Sequence, residues 1–165
     1  MVAMTVVLRP WTREDAPALV AAATSTPDLA AQFGGVALDR LEAAETFIDE
    51  SLRFDATVKN WAVVDDGVAV GNIGASAIEF RHDSAWVYYW LAAAARGKGY
   101  ATGGLLAVSD WALHSGLYRL ELGHRVNNPA SCRVATAAGY QREGIEREKL
   151  RYGDTRYDVE THARL

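Results

Sequence analysis

Apolar residues in this chain switch between two periods, and the switches mark the elements. "TVVLRPW" near the start reads as a first strand closed by Pro10. Thr12 stands as the cap of a helix running to about Ala23. Glu14 and Asp15 fall in its first turn, where the helix dipole favours acids. "TSTPDLAAQFGG" reads as a loop. In "LDRLEAAETFIDESLRF", Leu38, Leu41, Ala44, Phe47, Ile48 and Leu52 recur at helical spacing and predict a second helix. The stretch from Asn60 to Leu91 then alternates as three strands. Asp66-Gly67 makes the first turn and "RHDS" the second.

A third helix is predicted from about Gly99 to Ser115, with Ala101, Leu105, Val108 and Ala112 on one face and Gly116 as its stop. "YRLELGHRV" reads as a strand that puts Leu120, Leu122 and His124 on one face. Asn128-Pro129 opens a short helix ended by Gly139. Two last strands turn at Gly153-Asp154, and the final one places Asp158, Glu160, His162 and Arg164 on a common face. The order is β-α-α-β-β-β-α-β-α-β-β. That mixture of hairpins and crossover helices implies an α/β fold with a mixed sheet covered on both faces.

Composition narrows the class. A chain of 165 residues, 50% hydrophobic and 23% charged, fits one domain over residues 1–165 with a real core. The net charge of −4 speaks against a broad nucleic-acid footprint. No run of about 18 apolar residues is present, so no membrane span is expected. The start lacks the charged segment of a secretory signal. One cysteine, Cys132, excludes an internal disulfide and fits a cytoplasmic protein. Its place in a helix reads as a small buried hydrophobe.

The unusual stretch is "AARGKGYATGG", residues 94–104. It fits neither a P-loop, because Lys98 is followed by glycine, nor a dinucleotide fingerprint, because Thr102 stands where the third glycine belongs. What remains is R-x-x-G-x-A between a strand and a helix. Free N–H groups at a helix start attract an anion, and glycines at 97 and 99 let it approach. Arg96 or Lys98 can add charge-assisted bonds. A pyrophosphate suits such a loop. A plain surface turn is the competing reading.

"YYWLAAAARGKGYATGGL" resembles the acetyl-CoA-binding motif of the GNAT superfamily of N-acetyltransferases. "NNPASCRVATAAGYQREG" resembles the second signature of its RimJ/RimL-like branch, and "LRPWTREDAPAL" that branch's opening. The likeness covers nearly the whole chain in order. It implies the GNAT fold, with a central sheet that splays into a V-shaped cleft, and acetyl-CoA as cosubstrate without a metal. Pantetheine would pair with backbone near Leu91, Ala92 and Ala93. The pyrophosphate would rest on N–H groups from Arg96 through Gly97, Lys98, Gly99, Tyr100 and Ala101 to Thr102. Asn128 matches the asparagine that contacts pantetheine, with helix capping as its other role. Ser131 matches the serine near the thioester sulfur and is assigned as donor to the leaving thiolate, with helix capping as the alternative. The oxyanion donor is expected to be an N–H near Leu91 or Ala92.

The base is less defined. The family's usual glutamate and glycine positions are taken here by Trp86 and Tyr88. His124 is a candidate instead, since histidine readily exchanges a proton near neutral pH. Its alternative is a structural histidine. Glu79 and Glu121 are candidates through water, against a role as solvated strand residues. Gln32 and Phe33 lie where the family meets its acceptor. Trp86 and Tyr88 would line that pocket or else form core.

The resemblance implies acetyl transfer to a primary amine of a protein N-terminus or small molecule, by direct attack in a ternary complex. The sequence also allows a homodimer. The alternatives are a non-catalytic acyl-CoA-binding regulatory module and, against the failed glycine spacings, a nucleotide-dependent oxidoreductase. The sequence leaves the acceptor open among basic peptides, ribosomal protein N-termini, antibiotic amines and polyamines.

Overall fold

The computed structural model describes residues 6–165; the first residue of the predicted opening strand, Thr5, lies outside them. Seven strands form one sheet: β1 (Val7–Pro10), β2 (Lys59–Asp65), β3 (Val68–Glu79), β4 (Ser84–Leu91), β5 (Arg119–Arg125), β6 (Gln141–Tyr152) and β7 (Thr155–Arg164). Their order is β1-β2-β3-β4-β5-β7-β6. Every pairing is antiparallel except that of β4 with β5. Helices α1 (Ala16–Ser25), α2 (Leu41–Glu50), α3 (Tyr100–His114) and α4 (Pro129–Ala137) complete the predicted order.

Strand alternation divides the core. Trp90 joins Trp11, Phe33 and Phe47 beneath α1 and α2. Ala85 and Val87 face the opposite way, among Leu105, Leu120, Leu122 and Ala135 of the α3–α4 side.

Three elements depart from the prediction: the stretch read as a loop, residues 24–35, holds a 3₁₀ helix over Pro27–Phe33, and the first two helices differ at their ends. The first helix begins as a 3₁₀ turn, Arg13–Asp15, because Asp15 reaches back to accept the Thr12 N–H at 2.9 Å. The second helix stops at Glu50. Asn60, fully buried on β2, donates to the carbonyls of Ser51 at 3.4 Å and Arg53 at 3.0 Å, which draws that chain out of the helix.

Asp15 also takes both ends of the Arg9 guanidinium, each at 2.7 Å. Burial pushes the Asp15 carboxyl up, but the bonds from Arg9 and Thr12 more than offset this, and it sits below its usual range. A lowered folded-state value stabilises the fold above the unfolded carboxylate's pKa, and this stabilisation is lost as pH falls through the folded value. Asp15→Asn is therefore expected to cost roughly 1–2 kcal/mol at pH 7. The difference from wild type in urea unfolding should shrink towards pH 3. A constant difference across that range would reject the ion pair as its source.

Candidate active site

The parallel pair β4–β5 is short. Ser84, Ala85 and Trp86 pair with Arg119, Leu120 and Glu121, and the strands then part. Beyond Trp86, the edge of β4 facing β5 has no strand partner. The β3 register shows which groups lie on that edge. Ala92 N–H donates to Val70 O at 2.8 Å, one step past the Gly71–Leu91 pair. Antiparallel bonding alternates, so Leu91, Tyr89 and Val87 turn their N–H and C=O groups into the gap. Ala92 is thus corrected as an oxyanion donor, since its N–H is spent on β3. Ala93 N–H is likewise taken, by Thr26 Oγ1 at 3.0 Å. The Leu91 N–H remains turned into the gap.

The chain next makes a 3₁₀ turn, Ala93–Ala95, and enters the glycine loop. Gly97 has φ +74° and Gly99, which caps α3, has φ +81°. A Cβ at either would meet nothing within 4 Å, so both face open space. The first bond of α3 runs from Gly103 N–H to Gly99 O at 2.9 Å. Among the described residues, no backbone carbonyl accepts from the N–H groups of residues 97–102. They form an open row at the positive end of a 15-residue helix. Arg96 rests on Asp28 at 3.0 Å and on the Leu91 carbonyl at 3.2 Å. Lys98 rests on Asp65 at 3.3 Å.

Across the gap, Asn128 caps α4 by accepting the Ser131 N–H at 3.2 Å. The Ser131 hydroxyl has no hydrogen bond among the described residues, so the capping role considered for it falls to Asn128. Tyr89 donates its hydroxyl to the Ser131 carbonyl at 3.4 Å, tying β4 to the first turn of α4. Burial pushes the Tyr89 phenol pKa up, partly countered by that bond. Sequence reasoning missed Tyr89. It sits inside the run "VYYWL", where only the splay reveals which aromatic faces α4.

The opposite face of β4 opens on a cleft of about 320 Å³ lined by Gln32, Phe33, Leu52, Asn60, Tyr88 and Trp90 among others. Three of the four residues expected to meet an acceptor thus stand together. Trp86 stands apart, in the paired part of β4, against Gly123 and beneath Lys149. The cleft floor is a chain of bonds. Trp11 donates to Asn72 at 2.9 Å, Asn72 to Asn60 at 3.1 Å, and Tyr88 to Asn60 at 2.8 Å. Gly74 leaves room for Tyr88, since a Cβ there would stand 2.2 to 2.6 Å from its ring and hydroxyl. Gly74→Ala should therefore push Tyr88 off Asn60, at roughly 1–3 kcal/mol of stability. The acceptor KM should rise more than that for acetyl-CoA. Equal changes in both would disconnect the cleft from the acceptor.

The candidate bases are placed elsewhere. Glu79 accepts from the N–H groups of Arg81 (2.8 Å) and His82 (3.2 Å) and from Ser84 (3.0 Å), holding the β3–β4 turn at the far end of β4. Glu121 pairs with Arg119 at 2.6 Å. His124 is buried on the α4 face, and both ring nitrogens are engaged, by the Arg125 carbonyl at 2.9 Å and by His162 at 3.1 Å. None of the three lines this cleft.

A splayed mixed sheet, an open glycine loop before α3 and an asparagine-capped α4 define the acyltransferase class that the motifs resemble. Residues 5–141 match the acetyltransferase (GNAT) domain family, and the chain belongs to that family. A 69-residue segment is 38% identical to the probable N-acetyltransferase YjcK of Bacillus subtilis, covering 41% of this chain and 38% of that relative's length. Among solved structures, the fold superposes on the Salmonella typhimurium acetyltransferase that modifies the N-terminal serine of ribosomal protein L7/L12. The TM-score is 0.83, with 22% identity, over 100% of this chain and 97% of that one. It also superposes on the microcin C7 self-immunity acetyltransferase MccE in complex with acetyl-CoA and AMP, with TM-score 0.85 and 18% identity, over 99% and 94% of the two chains. No helix among the described residues is long and apolar enough to cross a membrane.

Proposed function

We propose that this chain transfers the acetyl group of acetyl-CoA to a primary amine. The observation that carries the reading is the parting of β4 from β5 beyond Trp86, with the open N–H row of residues 97–102 following it in the chain and the Tyr88–Trp90 cleft lying on one face of β4. The acetyl-CoA complex of the similar MccE supports acetyl-CoA as the cosubstrate. The pyrophosphate would lie on the glycine loop, displacing Arg96 and Lys98 from their carboxylates. Pantetheine would run along Leu91 and past Asn128.

The amine attacks the thioester carbonyl from the cleft side, forming the C–N bond. The Leu91 N–H would donate a hydrogen bond to the oxyanion that develops. Collapse breaks the C–S bond, and Ser131 donates to the departing thiolate, with Tyr89 holding its turn. The described lining of the cleft offers no carboxylate or imidazole. The amine is therefore bound neutral or gives its proton to water, and the proton its nitrogen sheds once the C–N bond has formed passes through Ser131 to the thiolate, leaving the amide and a free thiol. The action of the similar Salmonella protein on a protein N-terminus supports a peptide α-amine as acceptor.

Coenzyme A release is the test, measured against a panel of N-terminal peptides and small amines. Turnover with a peptide α-amine is expected. Acetyl-CoA binding without turnover of any acceptor would favour the non-catalytic regulatory module.

A further inference from the structure

We propose that His124, Cys132, Glu160 and His162 form a binding site for a divalent transition-metal ion of the zinc type, at the foot of α4. Their donor atoms all lie within 4.8 Å of one another. His124 Nε2 is 3.1 Å from His162 Nε2 and 3.6 Å from Glu160 Oε1. Glu160 Oε1 is 2.9 Å from His162 Nε2 and 3.5 Å from Cys132 Sγ. Ligands at zinc bond lengths stand roughly 3.3–3.8 Å apart around a tetrahedron. The two shorter separations need to open by only a few tenths of an ångström.

Sheet register explains the convergence. His124 on β5 lies directly across from Glu160 on β7, and His162 follows two residues later on the same face of β7. Cys132, in the first turns of α4, covers them. The cysteine is half-buried and turned towards a carboxylate, so the sequence reading of it as a plain apolar residue is corrected.

Two imidazoles, a thiolate and a carboxylate suit zinc, and the two anions balance its charge. The outer contacts suit it too. His124 donates Nδ1–H to the Arg125 carbonyl, which leaves Nε2 as a lone pair aimed inward. Arg142 holds the outer oxygen of Glu160 at 2.9 Å while the inner oxygen points to the cluster. Without a cation, one N–H of His162 is shared between His124 and Glu160. His162 Nδ1 is buried without a partner, so no outer group fixes that ring's tautomer. A cation bound here releases the Cys132 thiol proton, shifts the His162 proton from Nε2 to Nδ1, and joins α4 to both strands.

The experiment is Co²⁺ titration of the chelator-treated full chain. One ion per chain is expected, with tetrahedral visible bands, a thiolate-to-cobalt charge-transfer band, and displacement by Zn²⁺. Cys132→Ser should abolish the charge-transfer band. His162→Gln should weaken uptake by at least the ~10–100-fold typical of even an outer partner of a metal ligand. Absence of the band in wild type, or equal uptake by the variants, would overturn the proposal. A measurement without variants adds a second arm. Zn²⁺ should protect Cys132 of the wild-type chain from a thiol reagent, and unchanged labelling would count against the site. These readouts are independent of acetyl transfer.

Discussion

Gly99→Val should abolish acetyl-CoA binding in calorimetry while leaving a folded protein. Gly99 sits at φ +81° as the N-cap of α3, a region that L side chains enter at a cost of about 1–2 kcal/mol, and β-branched ones with most difficulty. No protein atom waits within 4 Å of the new Cβ, so the core is spared. The side chain would instead project into the open space before the N–H groups of residues 97–102, where the phosphates are proposed to rest. An affinity loss of at least 100-fold is expected, about 2.7 kcal/mol. Gly99→Ala should weaken binding less, because it carries most of the backbone strain with little of the bulk. A folded Gly99→Val protein that binds acetyl-CoA normally would remove the loop from the site.

The second large effect is expected at the leaving group. Ser131→Ala should lower kcat by roughly 10²–10⁴-fold, the range of a positioned proton donor, with acetyl-CoA affinity nearly unchanged. Asn128 already caps α4 through the Ser131 backbone, so removing the hydroxyl leaves the helix start intact. Tyr89 acts through that turn, by one bond to the Ser131 carbonyl. Tyr89→Phe should therefore cost only about 5–10-fold in kcat, one ordinary hydrogen bond. If the order is reversed, with Tyr89→Phe the more damaging, the phenol is the donor and Ser131 is not. A loss confined to thermal stability in Ser131→Ala would take both out of the chemistry.

The glycine loop and the α4 start were legible in the sequence because each is a local grammar: cap, proline, glycine and helix follow within a few residues. The strands were legible for the same reason, since Asp66-Gly67 and Gly153-Asp154 announce their own turns. What the sequence hid depends on pairing between distant segments. That the Ala92 N–H is spent follows only from the β3–β4 register. Glu79 looks like a free carboxylate until the turn after β3 folds back on it. Tyr88 and Tyr89 are neighbours in the chain yet serve opposite faces of the sheet, and only the parting of β4 from β5 gives the two faces their different meanings. His124 was placed correctly on the apolar face with Leu120 and Leu122. Its partners were not readable, because they arrive from β7 and α4 in an order that no spacing motif records.

The three-residue union of β4 with β5 has a mechanical consequence. Strands β1–β4 and β5–β7 are two halves of one sheet joined at one short seam, and helices α3 and α4 bridge them by side-chain packing and a few side-chain bonds, Tyr89 to the Ser131 carbonyl among them. A ligand laid along the unpaired edge acts as a spacer driven into that joint. Its binding should slow amide hydrogen exchange well beyond the residues it touches, on both sides of the seam at once.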